Sequence, residues 1–277
     1  MSYNILDSSL ITPTFLQKYN CKVINFGDYC HLYLYETTKV KKIKDKKLFL
    51  VDRSSHDDQK EIQLKQVEEK NINRSKFNCQ RIALANLDSW ETFITLTYSS
   101  NIIDVSISRT HFRYFIDKVR RIKKDFKYLC ITEFQKRGAI HYHLLTNISY
   151  NDTKLLYLQE DNPIYKHIKY WNYGFTSIEE IKNNKDKIIG YISKYMTKDL
   201  DNRLFSKRRY LYSKNLNMPI ESIIDLEDKK TFEIFSKNLK EYNVLFNYNY
   251  INKFDNSNIT FLELHKEYCR PDSACST

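Results

Sequence analysis

The sequence predicts an α+β fold: one antiparallel central sheet with helices packed on one face, plus N- and C-terminal extensions. Three observations predict it. Segments rich in β-branched and aromatic residues alternate with segments whose apolar residues recur at helical spacing, in the order β-α-β-β and then β-α. Two of the strands flank Lys136-Arg137-Gly138, a short glycine-containing hairpin connection. The chain has 277 residues, is 42% hydrophobic and carries 22 Tyr and 16 Phe, enough to fill a core.

Residues 21–52 read as strands, with residues 29–35 and 48–51 as apolar runs and the basic stretch 39–47 as their connection. Residues 54–70 are highly polar and suit a linker or a solvated helix. Residues 74–86 read as a short helix with Cys79, Ile82 and Ala83 on one side. Phe93-Ile94-Thr95-Leu96-Thr97-Tyr98 is a strand. Phe112, Phe115, Ile116, Val119 and Ile122 then mark a helix with Ser108 as its N-cap. Its outer face carries Arg113, Lys118, Arg120, Arg121, Lys123 and Lys124. That pattern fits a phosphate-binding face and a merely solvated one equally. Residues 128–135 and 140–148 form the hairpin strands, 174–181 another strand, and 185–200 a helix. Beyond it lie residues 203–216, a helix near 228–242 and an alternating strand near 244–250. The division expected is 1–86 as an N-terminal extension, 87–216 as the core and 217–277 as a C-terminal extension.

Composition narrows the function. The net charge is +11 with an isoelectric point near 9.1, dispersed among tyrosines. Such a surface suits phosphate neutralisation and base stacking, although compositional drift produces Lys- and Asn-rich chains as well. Neither G-x-x-x-x-G-K-[ST] nor G-x-G-x-x-G occurs, which excludes an ATP-driven helicase domain. No apolar run of about 18 residues and no signal-peptide core occur, so a cytoplasmic protein without membrane contact is expected. The six cysteines form no C-x-x-C pair and read as reduced thiols.

The densest chemistry lies in Glu133 through His143. On a strand, His141 and His143 point the same way, about 6.6 Å apart, while Tyr142 points to the opposite face. A lone H-x-H also fits ordinary polar side chains on an open sheet face. Glu133 adds a third group. A three-residue loop with Gly138 left-handed pairs Gln135 with Ala139 and Glu133 with His141, which puts Glu133, His141 and His143 on one face. A two-residue loop would move Glu133 to the other face. Two imidazoles and a carboxylate suit a divalent metal, Mg2+ or Mn2+, that polarises a phosphoryl oxygen. Gln135 shares that face as a weak ligand or a supporting group.

Tyr191, Lys194 and Tyr195 stand at i, i+3 and i+4, so a helix presents them together, with Ile188, Ile192 and Met196 as an anchoring stripe. Tyrosines at this spacing also serve as packing. As chemistry, a phenol needs help to attack at neutral pH, and Lys194 would favour the phenolate. A metal site and two phenols are the parts needed to cut a nucleic-acid strand through a covalent phosphotyrosine.

With the strand 93–97, the H-x-H strand and the tyrosine helix in this order, the chain resembles the HUH endonuclease superfamily. Its likeness is to rolling-circle replication initiators of small plasmids and single-stranded DNA phages, over roughly residues 90–216. The resemblance implies a ferredoxin-like or RRM-like sheet, with Glu133, His141 and His143 as metal ligands and Lys194 as the motif lysine. It further implies Tyr191 as nucleophile and Tyr195 as a second tyrosine. The implied reaction nicks single-stranded or melted origin DNA, leaves a 5′-phosphotyrosine and frees a 3′-hydroxyl for a host polymerase, with a host helicase unwinding. The rivals are a relaxase or single-strand transposase of the same chemistry, and a non-catalytic nucleic-acid-binding module whose tyrosines stack bases.

Overall fold

The described chain opens with two strands joined as a hairpin, β1 (Leu16–Phe26) and β2 (Tyr29–Lys42). There follow α1 (Asp57–Leu84), a 3-10 turn at Leu87–Ser89, β3 (Thr92–Thr97), α2 (Val105–Ile122), β4 (Tyr128–Phe134) and β5 (Ile140–Thr146). Next come β6 (Leu156–Gln159), β7 (Asn162–Ile168), β8 (Thr176–Glu180), α3 (Lys185–Thr197), β9 (Tyr210–Tyr212) and β10 (Ile220–Ile224). The order ends with α4 (Lys229–Leu239), β11 (Tyr242–Ile251) and β12 (Asn258–Lys266). The computed structural model describes residues 16–42, 57–135, 137–159, 162–181, 184–197, 209–252 and 255–266. They belong to two compact units, Ser55–Met218, and Met1–Ser54 with Pro219–Thr277. The class is mixed α+β with antiparallel sheets, as the sequence predicts.

In the unit Ser55–Met218 a five-stranded antiparallel sheet runs β8-β3-β5-β4-β9. Helices cover both of its faces, not one as expected. Val105, Phe112, Phe115, Ile116 and Val119 of α2 pack with Ile94, Leu96, Tyr142 and Leu144. Cys79, Ile82 and Ala83 of α1, with Ile188 and Ile192 of α3, pack with Phe93, Leu129, Ile131 and Leu145. Periodicity identifies which stripe of a helix is apolar, but not which side of a sheet receives it. Covered on both sides, β5 is buried along its whole length. Each large apolar side chain so placed contributes about 1.5–3 kcal/mol.

Several local expectations are corrected within this unit. Asp104, not Ser108, caps α2, its carboxylate accepting from the backbone N–H groups of Ser106 and Ile107. Ser108 lies one turn inside, fully buried, its hydroxyl 2.6 Å from that of Tyr142. Ile122, the last member of the expected stripe, is 45% exposed. The helix expected at 74–86 begins at Asp57, so the polar segment before it continues the same helix. A two-stranded sheet of β6 and β7 has no counterpart in the sequence reading. At Gly174, φ is +157° and a Cβ would stand 2.3 Å from the Thr97 carbonyl oxygen, so only glycine lets this loop close onto β3.

In the other unit a five-stranded sheet runs β10-β1-β2-β12-β11. Cys21, Val23, Cys30, Leu32, Ile224 and Leu264 pack with Phe235 of α4. Strands from both ends of the chain thus share one sheet. The basic stretch read as a connection at 39–47 begins inside β2, where Lys39 donates to Asp255, Thr37 and Ser257. The strand expected at 48–51 and the residues 43–47 and 203–208 lie outside the described residues. Cys21, Cys30, Cys79 and Cys130 are free and buried. Among the described residues, no helix is long and apolar enough to cross a membrane.

Candidate active site

The hairpin register decides what the strand residues can build. Gly138 adopts φ +90°, its N–H donates to the Gln135 carbonyl at 2.7 Å, and the Gln135 N–H donates to the Ala139 carbonyl at 2.8 Å. Glu133 consequently pairs with His141 and Ile131 with His143, as the loop argument predicts. Lys136 lies outside the described residues.

Cross-strand pairing carries this face through the sheet in three rows. The first is Glu179, Phe93, Leu145, Leu129 and Tyr212 from β8 to β9, and the second Ser177, Thr95, His143, Ile131 and Tyr210. The third is Thr97, His141 and Glu133. Polarity thus increases along the strands from an apolar row to a polar one. This face is the one packed by α1 and α3.

Helix α3 lays its two tyrosines on successive rows. Tyr191 stacks on Phe93 with ring centroids 4.0 Å apart, and Tyr195 stacks on His143 at 3.7 Å. One helical turn advances about 5.4 Å and one sheet row about 6.6 Å, so the spacings nearly match. Ile188 and Ile192 anchor the helix, both buried, while Tyr191 and Tyr195 are half-buried and Lys194 is exposed. The side chain of Met196 lies outside the described set.

His143 is held on every side. Its Nε2 lies 2.6 Å from a Glu133 carboxylate oxygen and its Nδ1 3.1 Å from the Thr95 hydroxyl. An ionised carboxylate only accepts, so Nε2–H donates to Glu133, and in the neutral ring Nδ1 accepts from Thr95. The ring is 4% exposed and His141 is 9% exposed. The two imidazole centroids stand 6.0 Å apart.

The donor set of two imidazoles and one carboxylate on a single face suits a divalent cation. In this arrangement, however, Glu133 is hydrogen-bonded to the nitrogen of His143 that would ligate. Among the described residues no three His, Cys, Asp or Glu side chains are grouped so as to hold a metal ion. Ligation would require that hydrogen bond to give way. Gln135 accepts from Arg137 Nε at 2.8 Å, and Arg137 also donates to the Tyr98 carbonyl at 2.8 Å, so Gln135 fixes the hairpin loop.

The Tyr191 hydroxyl donates to Glu179 Oε2. Burial, this hydrogen bond and the adjacent carboxylate push the phenol well above its ordinary value, with Tyr195 adding a smaller upward effect. The helix spacing predicts that Lys194 favours the Tyr191 phenolate. Its ammonium instead stands 5.1 Å from the ring centroid of Tyr195.

Arg120, Arg121, Lys123 and Lys124 lie on or just after α2, on the opposite face of the sheet from the histidines. Arg120 stands 5.8 Å from the Tyr128 ring, Lys123 is 3.4 Å from Asp125, and Arg121 and Lys124 are exposed. Sequence reasoning missed Phe93, Thr95 and Glu179 as partners of the site. For Phe93 and Thr95 a signal existed in the odd-numbered alternation of their strand. Glu179 carried none.

Residues 91–200 match a family model of replication-associated proteins, the ORF2 type. The chain is also similar to the phasyl DNA replicon protein arp of Escherichia coli, 27% identical over 128 residues. That alignment covers 40% of this chain and 44% of the relative, so it spans less than half the length of either. No solved structure matches.

Proposed function

We propose that this chain initiates rolling-circle DNA replication by nicking single-stranded origin DNA through an α3 tyrosine. The observation that carries the reading is the placement of Tyr191 and Tyr195 on one helix, stacked over Phe93 and His143 within the segment that matches replication-associated proteins. A phenol oxygen attacks the phosphate, the bond to the 3′ oxygen breaks, and the 5′ end stays on the protein. Glu133, His141 and His143 would hold Mg2+ or Mn2+, which supplies a Lewis acid for the phosphoryl oxygen. Thr95 orients His143, and Lys194 offers a cation to the phosphate charge. The exposed bases of a single strand would stack on the tyrosine-rich surface. Polymerase and helicase would come from the host.

A second reading, a non-catalytic nucleic-acid-binding module, is favoured by one observation. His143 is buried under Tyr195 and bonded to Glu133, as a purely structural histidine would be. Incubation of the full chain with random-sequence single-stranded oligonucleotides and Mn2+ separates the two. Nicking predicts a denaturation-resistant protein–DNA adduct and a released fragment that a polymerase extends, both abolished by a chelator. Binding with wholly intact DNA would overturn the nicking reading.

A further inference from the structure

We infer that Glu179 sets the order in which the two tyrosines attack, holding Tyr191 in reserve so that Tyr195 reacts first. The inference rests on the nicking reading above and reverses the order that the motif resemblance implies.

The geometry fixes Tyr191 from two sides. Its ring lies on Phe93, and Glu179, directly across from Phe93 in the β3–β8 pair, accepts its hydroxyl. The other oxygen of Glu179 is 3.3 Å from Lys187 Nζ, one turn before Tyr191 on the same helix. The charged and titratable groups facing Tyr191 are therefore Glu179, with Lys187 behind it, and Tyr195. A carboxylate in contact with a phenol favours its neutral form, because phenolate and carboxylate repel. A neutral phenol is a weak nucleophile. Tyr195 has the opposite surroundings, an imidazole face at 3.7 Å and an ammonium at 5.1 Å.

In the first transfer the Tyr195 oxygen bonds to phosphorus and the P–O3′ bond breaks. The phenolic proton goes to solvent, and the leaving oxygen takes a proton from water to become a 3′-hydroxyl. In the second transfer Tyr191 turns away from its parked position and attacks the regenerated junction, its proton passing to the Glu179 carboxylate. The freed 3′-hydroxyl then displaces Tyr195 from phosphorus and closes the strand, and Tyr195 regains a proton.

Trypsin cleaves after Lys187, Lys194 and Lys198, so the two tyrosines fall in separate peptides, 188–194 and 195–198. The full chain is incubated briefly with random-sequence single-stranded oligonucleotides and Mn2+, and the modified peptide is identified by mass spectrometry. The wild type is expected to carry its first adduct on 195–198. In Glu179→Gln, which keeps an acceptor but removes the charge, the share on 188–194 should rise about tenfold, the scale of lifting one like-charge neighbour. Glu179→Asp should restore the wild-type preference. Glu179 is 50% exposed, so neither change threatens the fold. Adduct formed first on 188–194 in the wild type, or a partition unmoved by Glu179→Gln, overturns the role of Glu179 while nicking stands. Adduct on neither peptide overturns the nicking reading and this inference with it.

Discussion

The two faces of the core sheet come from the same strands yet differ in kind. The α2 face is a dry aromatic layer in which Tyr98, Phe112, Phe115, Tyr142 and Trp171 meet edge to face or tilted. Its polar atoms are closed off in pairs such as Ser108–Tyr142. The α1/α3 face grades from apolar to polar and ends in Thr97, His141 and Glu133, with parallel ring stacks above it. Alternation makes this possible: in β5 the odd positions 141 and 143 carry chemistry while 142 and 144 carry stability. A strand can serve both ends only because helices cover both faces.

Four substitutions test that division, from the largest expected effect to the smallest. Combined Tyr191→Phe and Tyr195→Phe keeps both rings stacked and removes both hydroxyls. Covalent adduct should fall by about three orders of magnitude or more, with little change in melting temperature. An undiminished adduct would place the nucleophile elsewhere. On the other face, Tyr142→Ala should cost about 3–5 kcal/mol in denaturant unfolding, by opening a cavity beside Phe112 and stranding the Ser108 hydroxyl. A cost below about 1 kcal/mol would mean that this face does not carry the core.

Gly174→Ala should destabilise by about 1–3 kcal/mol or shift the end of β3, because the added Cβ meets the backbone of residues 97–99. Thermal melting reads the first outcome and hydrogen exchange at Thr97 the second. The smallest effect is expected on the outer surface of α2. Replacing Arg120, Arg121, Lys123 and Lys124 with Gln should weaken single-strand binding and lower the salt slope by about 0.7 for each phosphate no longer neutralised. An unchanged slope would leave those cations as a solvated face and confine DNA to the histidine side.

Much of this was determined by the sequence alone. Strand alternation with a glycine at the third loop position set the hairpin register, and with it the shared face of Glu133, His141 and His143. The i, i+4 spacing likewise set the common face of Tyr191 and Tyr195. Both are local rules, readable within about a dozen residues. What only the tertiary structure decided are the contacts between segments distant along the chain. It put α2 and α3 on opposite faces, joined strands from both chain ends in one sheet, and cleared Gly174 against β3. It also brought Thr95 to His143 across 48 positions and Glu179 to Tyr191 across a strand–helix turn. Neither pairing leaves a trace in local periodicity, since burial of the whole apolar face, not any one residue, selects how helix and sheet dock.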